Sequence, residues 1–211
     1  DKLSWTHHAR IARLPADQRP EVMQKAEQEK WTVRETDAEV NRRKAADSIL
    51  ASQPGDGTCT IADLFRAAQL GKKFGTIYAD PPWLYDNQVT RAATSDHYRG
   101  MTVAELCAMP ISMLAADAAH LHLWTTNAFL FDCPEIFKAW GFEFRTSFVW
   151  VKSKIGIGNY WRNSHEILLT AVRGDAKHFN DHSMPSWLEC DRGAHSSKPE
   201  QVRGLIERAS P

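Results

Sequence analysis

Cysteine is scarce in this 211-residue chain: Cys59, Cys107, Cys133 and Cys190 are its only four. No two are spaced as Cys-x-x-Cys, so a zinc site, a dithiol redox motif and a secreted disulfide framework are not expected. Long hydrophobic runs are also missing. No apolar stretch approaches the ~18 residues of a membrane span, and no signal peptide opens the chain. Reduced thiols and a cytoplasmic location without membrane contact are the expectation. An excess of charge of one sign is lacking too. The 26 basic and 26 acidic residues balance, which excludes a global basic field but leaves room for a local basic patch. Internal repeats and low-complexity tracts are absent. The first residue is Asp1 rather than Met, as in a fragment or a processed chain.

What is present suits one α/β domain with a small appendage, long enough to bury a real core. Eight tryptophans are many for this length; most belong in a core, and some can serve as stacking platforms. Residues 1–51 are polar and form a helical arm. Helices are predicted over Thr6–Arg13, Pro20–Lys30 (Pro20 in the first turn) and Thr32 or Val33 to Ala46. The third has only a thin apolar stripe of Val33, Ala38 and Val40, so it must share its core with another element. Ser52–Gly57 contains Pro54-Gly55 and Asp56-Gly57 and reads as a linker.

Residues 58–211 alternate strand and helix. Strands are predicted over Phe74–Ala79, His120–Thr125, Phe142–Lys152 and Ile167–Val172. Helices are predicted over Thr102–Met109, with Thr102 and Glu105 as a capping box, over Asn127–Trp140 with Gly141 as terminator, and over Pro199–Ala209. A polar loop occupies Leu84–Gly100. The alternation argues an α/β class with a mostly parallel sheet covered by helices on both faces.

One tetrad carries chemistry: Asp80-Pro81-Pro82-Trp83, directly after a predicted apolar strand. In such sheets ligand sites lie beyond the carboxyl ends of strands. Asp80 supplies a carboxylate acceptor. The prolines have no N–H, so this backbone offers only carbonyl acceptors, stiffly aimed. Trp83 offers a flat face. An adenine amino group, two donors beside a π-face, is the complement of this set. Its lone pair is delocalised into the purine and is a poor nucleophile. Acceptors for both N–H bonds favour a pyramidal nitrogen as charge develops, and a sulfonium methyl donor supplies a strong electrophile that needs in-line alignment. Asp-Pro-Pro also occurs in plain structural turns. The aromatic that follows it, at the end of an apolar strand, is what favours function.

The tetrad resembles motif IV of amino-methyltransferases acting on adenine. Further segments resemble the family of the eukaryotic mRNA adenosine methyltransferase catalytic subunit, which has bacterial and phage members. These are His97-Tyr98-Arg99-Gly100-Met101-Thr102, Leu121-His122-Leu123-Trp124, Phe148-Val149-Trp150-Val151-Lys152, Tyr160-Trp161-Arg162-Asn163-Ser164-His165-Glu166, Val172-Arg173-Gly174 and His195-Ser196-Ser197-Lys198-Pro199-Glu200. They cover about Gly75–Pro211. The resemblance implies a Rossmann-like fold of circularly permuted kind, S-adenosyl-L-methionine as cofactor, and methylation of the exocyclic amine of adenine in nucleic acid. DNA is the first choice of substrate and RNA the second; a non-catalytic nucleic-acid-binding partner subunit is a further alternative. In that family a further strand and a Gly-Asn segment follow the Glu207-Arg208-Ala209-Ser210-Pro211 end; neither is in this sequence.

The resemblance also distributes roles. Lys198, at the start of the last helix, suits an anion such as the cofactor carboxylate. Asp63 matches an aspartate beside the cofactor adenine, or is an N-cap. Tyr98 gates the adenine, or packs its loop. Expected sheet order puts Trp150 and Lys152 at a strand end near the tetrad; Trp150 is a substrate contact there or, as for most such tryptophans, core, and Lys152 belongs at the pocket rim. Asn163 and Glu166 lie near the target base, as pairing partners for a base edge and an amino group. His165 belongs to the same segment, with a satisfied structural histidine an equal reading, and is given no catalytic role. The arm lies outside the resemblance; its Trp31-Thr32-Val33-Arg34-Glu35 is similar to part of ParB-like DNA-binding segments, and dimerisation is the alternative, so a homodimer stays open.

Overall fold

The computed structural model describes residues 3–50, 60–85, 100–156, 160–175, 179–191, 193 and 197–210. The predicted linker at Ser52–Gly57 and the residues of the Leu84–Gly100 loop from 86 to 99, Tyr98 among them, lie outside the described residues. Two compact units divide the chain: residues 1–66 with 102–109, and residues 67–101 with 110–211. Among the described residues no helix is long and apolar enough to cross a membrane.

The first unit contains α1 (Trp5–Ile11), α2 (Arg19–Gln28), α3 (Val33–Leu50), most of α4 (Ile61–Gln69) and α5 (Val103–Ala108). Its apolar centre joins Ile11, Leu14, Val22 and Val40, with Trp31 and Met23 against them. Of the predicted α3 stripe only Val40 joins this centre: Val33 is half-buried and Ala38 is exposed, while Thr36 and Glu39 are buried instead. Ion pairs lock the same helices. Arg13 meets Asp37, and Arg43 reaches both Glu39 and Glu21. Glu39 is buried, and although burial opposes its charge, the Arg43 and Arg42 guanidiniums hold its carboxyl below the usual range. α5 starts as expected: Thr102 N–H donates to Glu105 (2.8 Å) and Glu105 N–H to the Thr102 hydroxyl (3.2 Å).

The second unit is a five-stranded sheet of β1 (Phe74–Ala79), β2 (Ala115–Thr125), β3 (Glu143–Lys152), β4 (His165–Arg173) and β5 (Trp187–Cys190), in the order β1-β2-β4-β3-β5. β1 pairs parallel with β2 and β3 parallel with β5, while β4 is antiparallel to both β2 and β3. Four strands therefore run one way and only β4 runs against them. The helices of this unit are α6 (Ile111–Leu114), α7 (Cys133–Trp140) and α8 (Glu200–Ala209). Side chains alternate across each strand. Trp124, Trp150 and Leu168 share one face and pack under Val202 and Ile206 of α8. On the other face Thr125 meets Cys133, and Phe144 stacks on Phe137, both partners from α7.

Several boundaries differ from expectation for local reasons. A continuous helix over Asn127–Trp140 is instead a short 3₁₀ turn (Asn127–Phe129) followed by α7, with Pro134 in its first turn. Proline has no N–H to give a preceding turn and so begins helices rather than continuing them. β2 starts five residues early through an alanine run whose propensity hides it. β5 is only four residues long and α6 likewise, too short to show a period.

Candidate active site

The tetrad sits where strand direction dictates. Asp80 follows β1, Thr126 follows β2, Lys152 ends β3 and Cys190 ends β5. β4 runs backwards, so its first residues, His165 and Glu166, reach the same edge; Trp150 is in register with Glu166 and Leu188.

Charges alternate along that edge. The Lys198 ammonium lies 2.6 Å from Asp80 Oδ2 and 3.4 Å from Glu166 Oε2, and the Lys152 ammonium pairs with Glu166 Oε1. The chain Asp80–Lys198–Glu166–Lys152 is thus negative, positive, negative, positive. Lys198 and Lys152 also lie over the rings of Trp124 and Trp150, at 5.7 and 4.9 Å, where the negative π-face favours a cation. Lys152 is 9% exposed and Asp80 40% exposed, so the relay is buried at one end and open at the other. Crowding by protein raises the Asp80 carboxyl above its ordinary value; Lys198 opposes the shift and Glu166 adds to it. Oδ2 takes the lysine, and among the described residues Oδ1 has no partner.

The turn after Asp80 is held by backbone bonds. Trp83 N–H donates to the Pro81 carbonyl (2.9 Å), Met101 N–H to that of Pro82 (2.6 Å), and Leu84 N–H to that of Met101 (3.0 Å). Both proline carbonyls, expected to await an amine, already hold one hydrogen bond; each keeps one lone pair. Gly100 makes the closure possible, because a Cβ there would stand 2.8 Å from Leu84 Cα.

Trp83 is pinned. Its indole N–H donates to the Trp124 carbonyl (3.2 Å), and one ring face stacks on Phe129 at 4.7 Å and 16°. Tyr85 packs edge-on against Phe129 and bonds the Thr126 hydroxyl at 3.0 Å. Trp124 donates to the Tyr78 hydroxyl at 2.6 Å. Burial pushes both phenols upward, so they stay protonated.

Of the residues singled out in the sequence, Asp80, Lys198, Glu166 and Lys152 converge, with Trp83 beside them. Trp150 requires a correction: it is 3% exposed, donates to the Cys190 carbonyl and packs in the core, so it floors the site and offers no ring to a base. Asn163 is exposed, and its backbone carbonyl accepts from Gly156 N–H. Asp63 falls in the first unit, where its carboxylate accepts from Thr60 N–H (2.8 Å) and pairs with Arg66 (2.9 Å). Those Thr60 bonds hold its carboxyl low, and a cofactor would have to compete with them. Sequence reasoning missed Tyr85, Phe129 and Trp124. Trp124 stood in a quoted segment, and Tyr85 is two residues past the tetrad. Phe129 carried no signal, because only the fold brings it to Trp83.

The residues fit a zwitterion. A lysine ammonium and a carboxylate lie side by side at strand ends, as the carboxylate and ammonium of an amino acid group require. Comparison with known proteins agrees in kind. A family model described as MT-A70 matches residues 74–211. The chain is similar to the Type II methyltransferase M.MunI of Mycoplasma sp, 28% identical across 66% of this chain and 69% of that protein. It is similar also to the N(6)-adenosine-methyltransferase catalytic subunit METTL3 of Homo sapiens, 29% identical across 66% of this chain and 24% of that protein. A third similarity is to the N(6)-adenine-specific methyltransferase METTL4 of Mus musculus, 32% identical across 39% of this chain and 17% of that protein. The match thus spans about two thirds of the first relative and a quarter or less of the other two.

Proposed function

Because the chain belongs to the MT-A70 family, a methyltransferase family that includes adenine-N6 methylases, we propose that it methylates the exocyclic amine of adenine in DNA with S-adenosyl-L-methionine as donor. The observation that carries this is the open end of the charged relay: Asp80 Oδ1 unpartnered among the described residues, Oδ2 held by Lys198, and a pinned Trp83 alongside.

Lys198 and Asp80 are the residues that would hold the cofactor, which supplies an electrophilic methyl when bound. Asp80 accepts an amino N–H and stabilises the positive charge that grows on nitrogen in the transition state. The remaining lone pairs of the Pro81 and Pro82 carbonyls can take the second N–H. The surplus proton of the methylated amine leaves to solvent, to which Asp80 is open. Lys152 fixes Glu166, and Glu166 fixes Lys198, so Lys198 is oriented before any ligand arrives. The base must leave its stack to reach this edge, which costs a few kcal/mol and favours unpaired or distorted sites.

DNA stands ahead of RNA because the relative matched over most of its length is the type II methyltransferase rather than the adenosine-methyltransferase subunit. The helical arm as a DNA-binding or dimerising segment, and a cytoplasmic location, belong to the same proposal. The test is mass analysis of nucleosides from DNA and RNA treated with the protein and cofactor. N6-methyladenine from DNA is expected; label in RNA alone would move the assignment to RNA, and label in neither would end it. Asp80→Asn should lower transfer by about 10²-fold or more while the melting temperature stays within a few degrees; full activity in that variant contradicts the site.

A further inference from the structure

Two large aromatic side chains stand almost entirely in water on the segment that leads into the charged relay. Tyr160 is 97% exposed and Trp161 is 90% exposed. Both lie on the connection between β3 and β4. That connection continues the ladder past the sheet edge: Lys152 N–H donates to the Ser164 carbonyl (2.7 Å) and Gly156 N–H to that of Asn163 (2.6 Å). Its two arms are therefore tied together beyond the strand ends, and Ser153 is anchored to Asp191. The returning arm carries Tyr160 and Trp161 and runs straight into Glu166. Four residues separate Trp161 from Glu166, five chain steps of at most roughly 18 Å in all, so the pair stands within a few nucleotides of whatever occupies the Asp80 edge. Exposed Arg162 follows the pair directly, and the outgoing arm carries exposed Lys154.

Solitary exposed apolar residues need no explanation. An adjacent tyrosine and tryptophan, followed directly by an arginine, two residues from a hydrogen-bonded tie between the arms, is a different object. It combines flat faces, which every base can stack on, with charges for the backbone phosphates. That is the chemistry of sequence-tolerant binding to unpaired strands. A duplex keeps its base faces covered and offers such rings nothing.

We propose that Tyr160 and Trp161 form a stacking platform for the nucleotides flanking the target adenine in an unpaired polynucleotide strand, with Arg162 and Lys154 meeting the adjoining phosphates. The platform makes single-stranded nucleic acid the preferred substrate. It rests on the nucleic-acid assignment above, and the two can fail separately.

The test uses the whole chain and a fluorescein-labelled single-stranded DNA oligonucleotide with one adenine. Its duplex, its RNA counterpart, and a version with abasic residues on either side of the adenine complete the set. Binding is read by anisotropy and transfer by mass. The double variant Tyr160→Ala/Trp161→Ala should bind the single strand at least about tenfold more weakly than wild type. Removing the flanking bases should cost wild type a similar factor and cost the double variant little. Tyr160→Phe/Trp161→Phe should retain most of the affinity, and all three proteins should melt alike because the side chains are exposed. A similar loss on RNA fits a platform indifferent to the sugar. Unchanged binding in the alanine variant, full sensitivity of that variant to the abasic flanks, or a loss confined to the duplex would each overturn the platform. Absence of methyladenine in every wild-type reaction overturns the enzymatic assignment instead, and the binding cycle still decides the platform.

Discussion

In the proposed reaction Asp80 serves as an ionised acceptor, yet its surroundings favour its neutral form. Burial raises its carboxyl, Glu166 pushes the same way, and Lys198 pulls back. The consequence is a pH profile that single substitutions can slide in opposite directions. Activity that needs ionised Asp80 falls as pH drops through its raised pKa. Lys198→Met removes the opposing cation, so the acid limb of kcat/KM should move to higher pH. Glu166→Gln removes a like charge, so the limb should move to lower pH. Both variants will also lower the plateau, because both disturb the relay. The diagnostic is the position of the limb in a profile of kcat/KM against pH; movement in the same direction for both would refute the electrostatic assignment.

Elements decide whether these side chains meet. β1, predicted at Phe74–Ala79 from its apolar run, occupies those residues, and the tetrad follows it as expected. The return of the chain after the tetrad depends on a single residue. Leu84 N–H donates to the Met101 carbonyl and Met101 N–H to that of Pro82, across the Trp83 bridge, only because Gly100 brings no Cβ against Leu84. Gly100→Ala should therefore move the turn, lowering kcat/KM by about tenfold or more, since small misplacements at a reacting centre are amplified. Its melting temperature should fall by only a few degrees. Unaltered kinetics in that variant would show that the bridge does not hold the turn. α8 is set by its far end. Ser210, just beyond it, meets His120 Nδ1 at 2.9 Å and His122 Nε2 at 2.8 Å, while Lys198, just before it, meets Asp80. The Pro199–Ala209 helix was legible from its apolar spacing; that it ties two strand histidines at one end to the charged edge at the other was not.

Across the second unit, the buried polar seam under α8 should govern acid stability. Burial, with a smaller push from His120, depresses His122 to about 4 from an ordinary 6.5. The unfolded chain therefore takes up this proton first as pH falls. The contribution linked to this group is complete above about pH 6.5 and is lost between there and about pH 4. The full loss is on the order of 3 kcal/mol, from 1.36 kcal/mol per pKa unit. Denaturant titrations at several pH values should show that decline, and His122→Asn should flatten it; an equal decline in the variant would assign the acid sensitivity elsewhere.

The sequence by itself determined which chemistry is present. Asp80-Pro81-Pro82-Trp83 at the end of an apolar strand, a lysine heading the last helix, and a capping box at Thr102 are all local facts, and local facts survive in a linear string. Only the tertiary structure decided which of those groups meet. Glu166 joins Asp80 because β4 runs against its neighbours, and strand direction is set by sheet pairing rather than by the residues of the strand. Trp150 became floor rather than platform because its register places it under α8, and Phe129 reached Trp83 across 46 residues of chain. Pairing, register and burial are non-local, and no window of sequence holds both partners.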